Sequence, residues 1–166
     1  MGLHEILQAA EQVGSHDSER RDVFQEEFAA YEAGETTAFD ETRSALLKER
    51  EALDRLETEL EDEESNIEEI VDSTEFLTVE QAVRHREATV EKLRDHNDHL
   101  RTFHDAMTTA LDIVEANLDA LEKAGPEAVD ADPEPQFKRA HEALTAHNDA
   151  VEGLSTNMTI LNAYLV

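Results

Sequence analysis

Apolar side chains recur every three or four residues along most of this chain, the spacing of one face of an α-helix. Leu3, Ile6, Leu7, Ala10 and Val13 make a first face, with Gly14 as a stop signal. Phe24, Phe28 and Tyr31 resume the same spacing in a second segment. Gly34 followed by Thr36 and Thr37 predicts the end of that segment and the cap of the next. Phe39, Leu46, Leu53, Leu56, Leu60, Ile67 and Ile70 then form a thin stripe. Within it Leu46, Leu53, Leu60 and Ile67 stand seven apart, the period of a coiled coil.

The segment Asp72 to Val83 predicts a turn into a further helix, with Thr78 as its N-cap and Gln81 completing a capping box. Steps of three and four from there give the clearest signal in the chain. They pass through Val79, Val83, Arg86, Val90, Leu93, Asn97, Leu100, His104, Met107, Leu111, Val114, Leu118 and Leu121, and ten of these 13 are apolar. Gly125 is a C-terminal stop, and Pro126, Pro133 and Pro135 mark a linker. A last helix carries Phe137, Ala140, Leu144, His147, Val151, Leu154, Met158, Leu161 and Leu165.

The expected fold is therefore all-α, an antiparallel coiled coil or elongated bundle of long helices. Its expected divisions are N-terminal helical segments over 1–35, a long helical hairpin over 36–124, a linker over 125–135 and a C-terminal helix over 136–166. Leu93 to Thr108 also aligns without gaps to Leu144 to Thr159, which sets His96 and His147 at equivalent edges of their stripes.

Composition changes the picture in one respect. Fourteen Lys and Arg face 41 Asp and Glu, a net charge of −27, and only four of the bases are lysines. Self-repulsion on that scale weakens a compact fold in dilute buffer, whereas molar salt shortens the Debye length to about 3 Å. Acidic, lysine-poor and without cysteine, the chain resembles in composition the proteins of halophiles that accumulate salt in the cytoplasm. The same charge argues against direct nucleic-acid binding, which needs basic clusters. No apolar run reaches a membrane span, and the start lacks the basic flank of a signal peptide. A cytoplasmic location in a salt-accumulating halophile is the expectation.

The candidate chemistry centres on histidine. His96 and His99 lie three residues apart, close enough on a helix to share a metal. Asp95 or His147 are the further ligands such a site would draw on. No histidine has Glu three residues before it, as a di-iron bundle needs, and no His-Glu-x-x-His occurs. The competing reading is structural: Asn97 and His104 sit in the seam, where a polar residue fixes register. If the hairpin packs level, Asp54 would hold His96 and favour its charged form. The acid run from Glu57 to Glu69, with eight carboxylates, reads as a hydrated helix face. No nucleophile elbow, phosphate-cradling glycine loop or cysteine nucleophile is present, so no catalytic residue and no cofactor or small-molecule substrate is expected.

These features point to a non-enzymatic structural or interaction protein: a coiled-coil assembly, adaptor or scaffold component adapted to high salt. Its expected partners are itself, as a homo-oligomer, or another helical protein. The expected interaction seam is Leu93, Asn97, Leu100, His104, Met107, Leu144, His147, Val151 and Met158. The alternatives are a metal-binding bundle at His96 and His99, and an acidic mimic of DNA phosphates that inhibits a nucleic-acid-binding protein.

Overall fold

A computed structural model describes the backbone of residues 2–151 and 154–165, and side chains for all of these except 2, 3, 155, 156, 162, 164 and 165. The expected core positions Leu3 and Leu165 lie outside the described side chains. Among the described residues the chain is entirely helical, a bundle with no strand. Its α-helices are α1 (Gly2–Glu32), α2 (Asp40–Ser73), α3 (Glu80–Ala124), α4 (Glu134–Val151) and α5 (Leu154–Leu165). A short 3-10 turn, Pro126–Ala128, follows α3.

Side-chain pairs fix how the rods lie. Lys48 and Arg43 of α2 reach Glu19 of α1 and Glu122 of α3, while Arg101 of α3 reaches Glu64. Arg50 of α2 meets Asp112 and Glu115 at 2.7 and 3.0 Å. Residue numbers fall in one helix as they rise in its neighbour, so α2 returns alongside α1 and α3 alongside α2.

The interior divides into three stretches along the bundle. At one end Phe24, Phe28, Tyr31 and Phe39 form a chain of rings with centroids 5.4–6.1 Å apart. They close over Leu118 and Leu121 of α3, and the Tyr31 hydroxyl donates to the Leu121 carbonyl at 3.3 Å. The middle is aliphatic: Ile6 and Val13 of α1, Leu53, Leu56 and Leu60 of α2, Leu100, Met107 and Leu111 of α3, and Ala140 and Ala143 of α4. At the far end Ile67, Val90 and Leu93 take Leu154 of α5. Each leucine fully buried in this way contributes on the order of 1.5–3 kcal/mol.

Three local expectations are corrected. Helix α1 runs through Gly14 rather than stopping there. A glycine costs a helix interior about 1 kcal/mol relative to alanine, and buried Val13 and Arg20 on either side outweigh that. Gly34 does end the helix, at φ 74°, but neither Thr36 nor Thr37 caps α2. The free N–H groups at the start of α2 are taken in trans instead. Glu41 and Thr42 donate to the Glu27 carboxylate of α1 at 3.0 and 2.8 Å, and Phe39 donates to Glu122 of α3 at 3.1 Å. Carboxylates beside a helix N-terminus also meet its positive dipole end. Helix α3 likewise starts without the Thr78–Gln81 capping box, its N-cap being Val79 with no side-chain hydrogen bond. Gly125 ends α3 as expected, at φ 85°.

Candidate functional site

The expected seam is largely spent inside the chain. Leu93, Asn97, Leu100 and Met107 of α3 and His147 of α4 are buried, while His104, Leu144, Val151 and Met158 are half-buried at its margins. Leu93 and Met158 meet in the far cluster, and Leu100, Met107 and Leu144 meet in the middle one. His104 stands beside Asp105 at 3.3 Å. Helix α3 buries more than the expected stripe. Ala82, Thr89, His96, Phe103 and Ala110, again spaced by seven, form a second buried row. Two rows on one helix mean neighbours on two sides, and α3 lies between α2 and the α4–α5 pair.

The second row carries the one place where histidines converge. His96 of α3 and His147 of α4 are both 0% exposed, and their rings meet edge to face with centroids 4.3 Å apart at 72°. None of their four ring nitrogens has a hydrogen-bond partner among the described residues, and neither polar atom of the Asn97 amide has one. Burial pushes both rings toward the neutral form, His147 down to about 4, with His96 and then His99 adding like-charge pressure on it. For His96 burial is again the main cause, opposed by Asn97 and reinforced by His99. This overturns the expected His96–Asp54 pair: Asp54 is exposed on α2, so His96 is held neutral rather than charged. His99 is half-buried, near enough to bear on both rings as a like charge. No three histidine or acidic side chains converge as ligands among the described residues.

A second buried polar group escaped the sequence reading altogether. Arg20 of α1 donates to Glu49 of α2 at 2.6 Å and to Asp17 at 2.5 Å, with both partners of the first pair essentially buried. The Arg20 and Arg21 guanidinium groups lie 5.2 and 4.7 Å from the centre of the Phe137 ring of α4. Burial raises the Glu49 carboxyl against the pull of Arg20. The acid run on α2 is likewise not all surface. Glu63 turns inward, takes a hydrogen bond from Asn66 at 3.3 Å and is raised by burial. Glu49 and Glu63 stand two heptads apart in the row Thr42, Glu49, Leu56 and Glu63, a periodicity that hydrophobicity alone does not mark.

Among the described residues, Leu47 is an isolated exposed apolar side chain on α2, and a pair stands at the α2–α3 tip. At the connection between α2 and α3, Phe76 is 68% exposed and Val79 58%, with Leu77 half-buried between them. A groove beside this tip is lined by Val71 and Val90, with Arg86 and Arg94 outnumbered by six carboxylates that include Glu75 and Glu87. Arg86 also donates to the Thr74 carbonyl at 3.2 Å, tying the turn to α3. Four of the fourteen Lys and Arg fall between Arg84 and Arg94, so this end is base-rich in an otherwise base-poor chain. Among the described residues no helix is long and apolar enough to cross a membrane.

The chain matches no protein-family model, and comparison with curated proteins and with solved structures finds no similar one.

Proposed function

We propose that this is a non-enzymatic interaction protein of a salt-accumulating cytoplasm, an antiparallel coiled-coil bundle that self-associates through the tip of its α2–α3 hairpin. The carrying observation is that Phe76 and Val79 are exposed side by side at the tip, whereas Leu47, the other large exposed apolar side chain described, stands alone on α2. Adjacent exposed rings and branched side chains lose unfavourable hydration when covered, and aromatic anchors are enriched where proteins meet. A second copy is the occupant that fits best. The groove at the tip sets Arg86 and Arg94 among six carboxylates, so a two-fold contact can bring each arginine of one copy to an acid of the other, while molar salt screens the remaining like charge. Dense like charge elsewhere opposes association in dilute buffer and is screened in molar salt.

Light scattering in molar KCl tests this. The wild type is expected as a dimer or larger assembly, and the Phe76→Asp, Val79→Asp variant as a monomer with unchanged helicity. A wild type that is monomeric at every concentration, or a variant that associates equally well, overturns the reading. A stoichiometric foreign helical protein recovered on the wild type but not on the variant would move the occupant from self to that partner. Competition with DNA for a basic protein would instead favour the phosphate-mimic alternative, provided it persists at high salt.

A further inference from the structure

We propose that the His96–His147 contact is an acid-sensitive latch that holds the C-terminal helices α4 and α5 against α3. The argument begins with where the contact sits. It joins the middle of α3 to the last part of α4, just before α5 covers Leu93 with Leu154. Both rings are 0% exposed and make no hydrogen bond among the described residues. Neutral imidazoles tolerate this, packing as flat, weakly polar discs 4.3 Å apart. A proton on either ring creates a buried charge with no counter-ion among the described residues, the neutral Asn97 amide being the one group that favours it on His96, and buried charges are stable only when paired.

Among the described residues the surrounding elements supply no such partner. Helix α5 has no charged residue in its sequence. On α3 the titratable group bearing on the rings is His99, which repels rather than pairs, and Asp95 and Asp98 are exposed. On α2 the inward carboxyls are Glu63, engaged with Asn66, and Glu49, engaged with Arg20, and Asp54 is exposed. On α1 the described titratable groups at the nearby end are His4 and Glu5, both exposed. Neither ring forms an ion pair with a carboxylate among the described residues, so protonation is met by opening the contact.

The sign follows from proton linkage. Each ring takes its proton less readily when folded than when free, so the opened state binds more protons below the ordinary histidine range. The stability that the contact contributes is complete above about pH 6.5 and is lost as pH falls toward the folded value of about 4 for His147. Each unit of pH in that window favours opening by up to about tenfold per proton taken. Other shifted groups do not mimic this. Glu49 and Glu63 are raised by burial, so acid steadies the folded state through them. Glu19, Asp119 and Glu122 are lowered by their basic partners and lose their contribution only below the ordinary carboxylate range. Protonating surface carboxylates also relieves the net charge of −27, which stabilises.

Hydrogen exchange of the full chain in molar KCl, corrected for the intrinsic pH dependence of amide exchange, reads the latch directly. Between about pH 7.5 and about pH 5, protection over 134–151 and 154–165 should fall by at least about tenfold relative to α1 and α2. The His96→Leu, His147→Leu variant should lose that differential. NMR titration of the wild-type rings provides a second readout that needs no variant. Both rings should stay neutral well below the ordinary histidine range and take protons only as α4 protection collapses. A protection ratio that ignores pH, the same acid response in the variant, or either ring titrating near pH 6.5 with α4 still protected would each overturn the latch.

Discussion

Two buried polar contacts, about equally hidden, solve the same problem in opposite ways. Between α1 and α2, Arg20 enters the interior as a charge and is met by Glu49, with Asp17 as a second acceptor and the Phe137 ring beside the guanidinium. Between α3 and α4, His96 and His147 enter as groups that can shed their charge, and they do so. An arginine cannot be deprotonated in a protein, so its burial commits the fold to a partner. A histidine needs none so long as pH keeps it neutral. The first contact is thus intolerant of losing one partner, and acid does not open it, because the raised Glu49 carboxyl takes a proton more readily folded than free. The second is tolerant of apolar replacement and sensitive to acid.

The largest effect should come from breaking the pair on one side only. Arg20→Met strands the Glu49 carboxylate and should cost about 3–5 kcal/mol in chemical unfolding at neutral pH and high salt. Arg20→Met with Glu49→Leu should recover most of that, because the stranded charge is gone. A single variant as stable as wild type would remove the contrast. Next in size is the histidine contact at neutral pH. His96→Leu with His147→Leu replaces two neutral rings by apolar groups and should shift stability by no more than about 1.5 kcal/mol in either direction. A loss as large as that of Arg20→Met would show that the rings have a partner after all. Smallest is Gly14→Ala in α1. An added Cβ there meets nothing within 4 Å, so the change should raise the unfolding free energy by about 0.5–1 kcal/mol. That gain should leave the difference between the two contacts intact, and thermal unfolding in the same buffer checks both points.

The helical nature of the chain and most of its apolar core were legible in the sequence because leucine, isoleucine and valine mark a buried face unmistakably. Leu46, Leu53, Leu60 and Ile67 on α2 and Leu93, Leu100, Leu111 and Leu118 on α3 are all buried. The second row on each long helix was not legible, because it is written in residues that read equally well as surface. Thr42, Glu49 and Glu63 on α2 and Ala82, Thr89, His96 and Ala110 on α3 carry no hydrophobic signal beyond their spacing of seven. Reading that spacing without regard to residue type would have exposed both rows. It would also have moved His96 from the edge of a stripe to the centre of an interface. The gapless alignment of His96 with His147 did place the two on comparable edges, yet nothing in it says that those edges touch.

What the sequence determined by itself is the kind of element and the size of the net charge. A three-to-four-residue apolar period forms helices whatever their neighbours, and a charge of −27 calls for screening whatever the fold. The tertiary structure alone decided which polar groups lie inside, which partner each one meets and whether it keeps its charge. Those depend on contacts between residues as far apart as 29 positions for Arg20 and Glu49 and 51 for His96 and His147, where distance along the chain carries no information about distance in space.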